Sequence, residues 1–213
     1  YATTILKDQI NPDDGCPYTN IPTDFVSHAW RYKFSNVVDA LEEEQRERKE
    51  CIRKAAVENK DLKVRIRLQG LQSKPELNGQ YGTRIKWLPI KGRFKILLDS
   101  GVHKSIKPHN FWIEPKPRYY WNDIFVEDQN ESDQKPDGYF FVAFRNAVAS
   151  IGRTILILDP IAAPIPFTRA WCIWEIFSTI DSGAELVVAL SLNQRIEFER
   201  TLFENFQDLV ITI

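Results

Sequence analysis

The chain has 213 residues, enough for one large domain or two small ones, and its 43% hydrophobic content with 6 Trp, 7 Tyr and 13 Phe is ample for a buried core. Its 28 basic and 29 acidic side chains leave a formal net charge of -1, which gives no general electrostatic case for DNA or an anionic membrane, because phosphate binding needs a clustered positive excess. Cys16, Cys51 and Cys172 are odd in number and far apart, so reduced thiols in an intracellular protein, cytoplasmic or organellar, are a better reading than a disulfide framework or a zinc site. No apolar run approaches the roughly 20 residues of a membrane span. The chain opens on Tyr1 and contains no Met, which reads as a processed chain or a fragment and leaves a removed targeting segment open.

Residues 1–22 form a turn-rich polar extension around Asn11-Pro12-Asp13-Asp14-Gly15 and Cys16-Pro17. Asp24-Phe25-Val26-Ser27-His28-Ala29-Trp30 reads as a short strand. Phe34, Val37, Val38 and Leu41 follow at helical spacing, with Ser35 as the expected N-cap. Beyond Leu41 the helix is strongly charged, with Glu42–Arg46, Glu44–Arg48 and Glu50–Lys54 at the favourable i,i+4 polarity. Such a segment is expected to leave the body of the domain with a solvated face.

From Lys60 the period changes from helical to alternating: Val64, Ile66 and Leu68 are separated by Arg65 and Arg67. Asn78-Gly79, Tyr81-Gly82, Gly92, Asp99-Ser100-Gly101 and Ile106-Lys107-Pro108 then punctuate several short strands. That grammar predicts a small antiparallel β-barrel over residues 62–114. It resembles the Tudor-like or KOW-like barrels, in which a Gly-x-x-Gly turn leads a strand and a second strand ends at an Asp-x-Gly hairpin. Basic residues of this insert interleave with Trp87 and Phe94. They read first as ordinary solvent-facing positions of a small sheet, and second as a surface for RNA or acidic peptides.

After Pro115 and Pro117 the pattern becomes α/β. Residues 119–126 are expected to form a strand containing Asp123. Phe141, Phe144, Val148 and Ile151 mark a helix stopped by Gly152, and Thr154-Ile155-Leu156-Ile157-Leu158 is the apolar run of a strand covered on both faces. Thr168 is placed to cap a helix from Arg169 to Ser182, stopped by Gly183. Residues 185–190 form another strand. Ile196, Arg200, Phe203 and Phe206 mark a last helix, and Leu209-Val210-Ile211 a last apolar segment. The alternation predicts an α/β fold, a doubly wound parallel sheet built from residues 23–58 and 115–213 and interrupted by the 62–114 barrel.

Two segments carry a family likeness. Asp24-Phe25-Val26-Ser27-His28 resembles the opening strand of Toll/interleukin-receptor (TIR) domains, and Thr168-Arg169-Ala170-Trp171-Cys172-Ile173-Trp174-Glu175-Ile176 resembles their Ser-x-x-Trp-Cys-x-x-Glu-Leu helix in spacing and residue type. Ser-His-Ala-Trp and Trp-x-Asp-Ile-Phe-x-x-x-Gln are also similar to the TIR-related heterokaryon-incompatibility domains of fungi and to algal proteins. The likeness covers residues 23–45 and 118–212. It departs from the family in the inserted barrel and in the loop after Asp123.

The resemblance implies a flavodoxin-like sheet of TIR type. It also implies either a glycohydrolase taking NAD as its substrate or a non-catalytic interaction domain whose partners are other TIR-like domains or protein subunits. Glu175 holds the position of the family's essential glutamate, a carboxyl that would stabilise the oxocarbenium-like ribose left when nicotinamide departs. Ser27, His28 and Trp30 would lie just past the carboxyl end of the first strand, where open α/β sheets bind ligands. Asp123 and Trp171 complete the expected substrate-binding set, with Trp171 able to stack on a base. Plainer readings stand beside these for Trp171 as a core aromatic, Glu175 as a helix residue paired with Arg169 and His28 as a hydrogen-bonded structural residue, and Cys172 reads as a buried inert thiol. No metal cluster, resident cofactor, phosphate loop or Ser-His-Asp arrangement is expected.

Overall fold

The structure, a computed structural model, describes residues 9–11, 16–123, 136 and 138–205. Its strands and α-helices in chain order are β1 (Asp24–Ser27), α1 (Phe34–Glu58), β2 (Val64–Leu68), β3 (Tyr81–Leu88), β4 (Arg93–Leu98), β5 (His103–Ile106), β6 (Phe111–Ile113), β7 (Tyr120–Trp121), α2 (Tyr139–Ile151), β8 (Arg153–Ile157), α3 (Ala170–Asp181), β9 (Glu185–Ala189) and α4 (Leu192–Glu204). The chain divides into two compact units, Tyr1–Glu44 with Arg118–Ile213, and Gln45–Pro117, so one division falls inside α1.

The first unit holds a four-stranded sheet in the order β7-β1-β8-β9, with every pairing parallel. Numbered by appearance within this unit, the order is 2-1-3-4, so chain connections diverge on either side of β1 and β8. Successive side chains of β1 and β8 serve opposite faces. On one face Val26, Ile155 and Ile157 pack with Val37 and Ala40 of α1. On the other, Phe25 packs with Phe144 and Val148 of α2. A sheet covered on both faces explains the unbroken apolar run at Ile155-Leu156-Ile157. The positive φ of 78° at Gly152 closes α2, and its N–H bonds the Val148 carbonyl, as the sequence suggested.

Below β1, at its amino end, the fully buried Asp24 is gripped by the guanidinium groups of Arg118 and Arg153 and by the Thr23 hydroxyl. Arg153 also reaches Glu44 at 2.6 Å. Burial pushes the Asp24 pKa up, yet the hydrogen bonds from Arg118, Thr23 and Arg153 outweigh it and hold the carboxyl below its ordinary value.

Several expectations change. Ser35 does not cap α1, because the helix already begins at Phe34. Thr168 does not cap α3: its hydroxyl turns back to the Ile165 carbonyl at 2.7 Å, closing a 3-10 turn, and Arg169 occupies the cap position. The second strand of this sheet is only Tyr120–Trp121, so Asp123 lies just past its carboxyl end rather than within it. Residues 124–126, Phe206 and the Leu209-Val210-Ile211 segment lie outside the described residues.

The second unit is a five-stranded antiparallel sheet in the order β5-β4-β3-β2-β6. Alternation places Val64, Ile66, Leu68, Phe94, Ile96 and Leu98 on one face, in a core that also takes Ile106, Phe111 and Ala56, with Ile52 packed against it. The carboxyl half of α1 therefore buries residues in this core instead of running free in solvent, as its charge pattern had suggested. Gly82 is required where β3 crosses β4, since a Cβ there would meet the Leu97 carbonyl oxygen at 2.6 Å.

Buried Arg84 explains how α1 ends without a basic residue in its last turn. Its Nη2 donates to the carbonyls of Ala56, Asn59 and Leu62 at 3.0, 2.9 and 3.1 Å, satisfying Ala56 in the last turn, which the helix terminus cannot pair internally, and joining it to the turn that follows. The guanidinium also lies over the Phe94 ring, 4.8 Å from its centroid.

Candidate functional site

At the carboxyl ends of β1 and β7 the chain turns away from the sheet, and α3 packs along the sheet, with Glu175 reaching Ser27 at the end of β1 and Thr179 reaching Thr154 near the start of β8. The face that α3 presents inward is polar. Cys172, Glu175, Ser178 and Thr179 are its buried residues, whereas Ile173, Phe177 and Ile180 are exposed. This reverses the usual arrangement, in which a helix packs its apolar stripe on the sheet. Each inward group but one meets a partner. The Thr179 hydroxyl lies 2.8 Å from that of Thr154 on β8, and the Cys172 thiol lies 3.5 Å from the His28 carbonyl. Ser178 Oγ has no partner among the described residues.

Glu175 is the centre of the cluster. It is 4% exposed, and the Ser27 hydroxyl at the end of β1 donates to its Oε2 at 2.5 Å. Burial raises the Glu175 pKa to about 8, with Asp123 adding to the rise while the Ser27 hydrogen bond and the Arg169 charge oppose it. Near neutral pH this carboxyl therefore holds its proton. The same surroundings push the Cys172 thiol up to about 11, chiefly by burial and then by Glu175, so Cys172 is not a nucleophile.

His28 is buried, and burial lowers its pKa against the opposing effects of Asp123 and a hydrogen bond to the Val26 backbone. Its Nε2 has no partner among the described residues. A neutral ring bonded through one nitrogen leaves the other as an acceptor shielded from water, an arrangement that carries a desolvation cost. Trp30 is half exposed, and its indole N–H donates to Asp123 Oδ2 at 2.7 Å. Buried Asp123 is thereby tied to the loop after β1.

Five of the six residues expected from sequence thus form two linked pairs and an orphan: Ser27 with Glu175, Trp30 with Asp123, and His28 beside them. Trp171 stands apart from that constellation. Its ring lies 5.0 to 6.2 Å from those of Phe140, Phe141 and Phe144 on α2, in an aromatic cluster that pins α3 to α2. Arg169 makes no ion pair with Glu175 among the described residues, but its charge lowers the pKa of Glu175, Cys172 and His28 alike. The Thr154–Thr179 bridge and the inward role of Ser178 had no sequence signal, because hydroxyls on a helix face read as solvent-exposed. Among the described residues no group of His, Cys, Asp and Glu is arranged to hold a metal ion.

Comparison with protein-family models, curated proteins and solved structures finds no match to this chain.

Proposed function

We propose that the α/β unit is a TIR-like domain with the flavodoxin-like strand order, and that it cleaves the bond between nicotinamide and ribose in NAD. The observation that carries this is Glu175, a buried carboxyl bonded to Ser27 beside the divergence point of a parallel sheet, where such folds bind ligands. The half-exposed Trp30, its N–H fixed by Asp123, offers a flat ring at the rim for a nicotinamide or adenine base.

The chemistry follows from where charge develops. As the C1′–N1 bond breaks, its electron pair goes to the pyridinium nitrogen, so nicotinamide leaves neutral and needs no proton from an acid. The positive charge moves to the ribose ring, where the fraction of Glu175 that has released its proton to solvent, growing as pH approaches about 8, stabilises it. Water then adds its oxygen to C1′ and gives up a proton, yielding ADP-ribose, nicotinamide and one proton. His28 Nε2 supplies an acceptor for a ribose hydroxyl.

A second reading is a non-catalytic interaction domain assembling with other TIR-like domains or protein subunits. The specific observation in its favour is the outward apolar stripe of α3, Ile173, Phe177 and Ile180, with Trp174 stacked on Phe177 at 5.5 Å. Incubating the purified chain with NAD and following nicotinamide release separates the two. Release that disappears in Glu175→Gln supports the enzyme. An oligomeric sample that releases none supports the interaction domain.

A further inference from the structure

Within the second unit, a groove of about 280 Å³ runs between the carboxyl half of α1 and the edge strand β6, lined by Lys49, Arg53, Arg67, Trp112, Glu114 and their neighbours. Lys49 and Arg53 are four apart on α1 and so share a face. Arg67 on β2 pairs in register with Trp112 on β6 and with Tyr81 on β3, so the three are cross-strand neighbours on one face of the sheet. It lies over Tyr81 at 5.5 Å from the ring centroid, while Trp112 is 53% exposed.

Charge pairing separates these residues from the other basic residues nearby. Lys54, one position from Arg53, pairs with Glu50, and Arg65, two from Arg67, pairs with Asp99 at 2.9 Å. Among the described residues Lys49, Arg53 and Arg67 have no ion pair, although Glu114 lines the same groove. Three cations against one carboxyl leave a local excess of positive charge in a chain whose formal net charge is -1. An exposed indole beside three unpaired cations matches a ligand with a flat π-face and an anionic group a few ångströms away.

We infer that this groove binds a nucleotide, with its base against Trp112 and its phosphate on Lys49, Arg53 and Arg67. An acidic peptide would satisfy the cations and leave the indole without a role. The nucleotide comes either free or as part of a single strand, and the groove volume suits about one unit of either.

The test is fluorescence anisotropy of labelled hexauridylate titrated with the full chain, with competition by unlabelled UMP and by hexaglutamate. The expected result is micromolar binding whose log affinity falls with log salt at a slope of about -0.7, as for one neutralised phosphate of a single strand. Trp112→Ala and Arg53→Gln should each weaken it about tenfold or more, while Lys54→Gln leaves it unchanged. Displacement by UMP at concentrations similar to the hexamer identifies a free nucleotide as the ligand, and displacement by the hexamer alone identifies a strand. Arg53 is exposed on a helix, so its variant keeps the test decisive if Trp112→Ala unfolds. The inference is overturned by absence of binding at about 1 mM protein, far weaker than such sites. Equal loss in Lys54→Gln and Arg53→Gln, or displacement by hexaglutamate as effective as by the hexamer, would also overturn it.

Discussion

Replacing Glu175 by Gln should change the pH dependence of stability in a defined direction. In the folded chain burial raises the Glu175 pKa from 4.5 to about 8. An acid with a raised pKa binds its proton more tightly when folded, so its contribution is fully present below the unfolded pKa. That contribution declines as pH rises and is gone above the folded pKa. Between those limits the unfolded state is ionised and the folded state is not, and stability falls by about 1.4 kcal/mol per pH unit from this group alone. Glutamine imitates the neutral acid: its carbonyl oxygen still accepts from Ser27, and it carries no titration. At pH 4.5 the two proteins should therefore differ by no more than about 1 kcal/mol, the worth of a changed hydrogen bond. By pH 8 the variant should have gained about 4 kcal/mol relative to the parent. Guanidinium unfolding followed by circular dichroism at half-unit pH steps measures this, and differencing the two proteins cancels every other titrating group. Parallel pH profiles would refute the buried, protonated carboxyl on which the site is built.

Four other outcomes follow. If ionised Glu175 is the reacting form, kcat/KM for nicotinamide release should rise with pH and level off above about 8, since that ratio reports the free protein; a profile flat from pH 6 to about 9 would count against it. Asp24→Asn should cost about 3 kcal/mol at pH 7, because Arg118 and Arg153 would face each other without their shared carboxylate. Its lowered pKa means that contribution is present above the unfolded value of 3.8 and is lost as pH falls through the folded one, so the cost of the substitution should shrink in acid. Arg84→Leu should cost about 3 kcal/mol by stranding the carbonyls of Ala56 and Leu62, and Arg84→Lys less, both read from thermal melts. Excising residues 45–117 with a short Gly/Ser bridge should leave a folded α/β unit, because Glu44 and Arg118 both join the ion network around Asp24; an unstructured circular-dichroism spectrum would disprove this.

Local chemistry made much of the framework legible in the sequence. Period-two alternation at Val64-Arg65-Ile66-Arg67-Leu68 and an unbroken run at Thr154-Ile155-Leu156-Ile157 announce strands buried on one face and on two, and the strands stand there in the structure. Gly152 and Gly183 stop helices because their positive φ is open to any glycine, with no tertiary help. The caps read less well. Ser35 and Thr168 are good cap residues whose hydroxyls the surrounding chain uses elsewhere or leaves outside the cap position.

Only the tertiary structure decided the rest, because each remaining feature joins residues far apart in sequence. Ser27 and Glu175 are 148 positions apart; the family likeness assigned both to one site, but the direct hydrogen bond between hydroxyl and carboxyl exists only in the folded chain. On α3 Ile173, Phe177 and Ile180 are exposed while Cys172, Glu175, Ser178 and Thr179 are buried, because Ser27, His28 and Thr154 supply hydrogen bonds that make a polar interface tolerable. Arg84 looks like one more outward basic residue of an alternating strand, and becomes a buried helix terminator because three carbonyls converge on it. Hydrophobic pattern carries the number and type of elements, since it depends on neighbours along the chain. Which polar groups are buried depends on partners that only folding brings together.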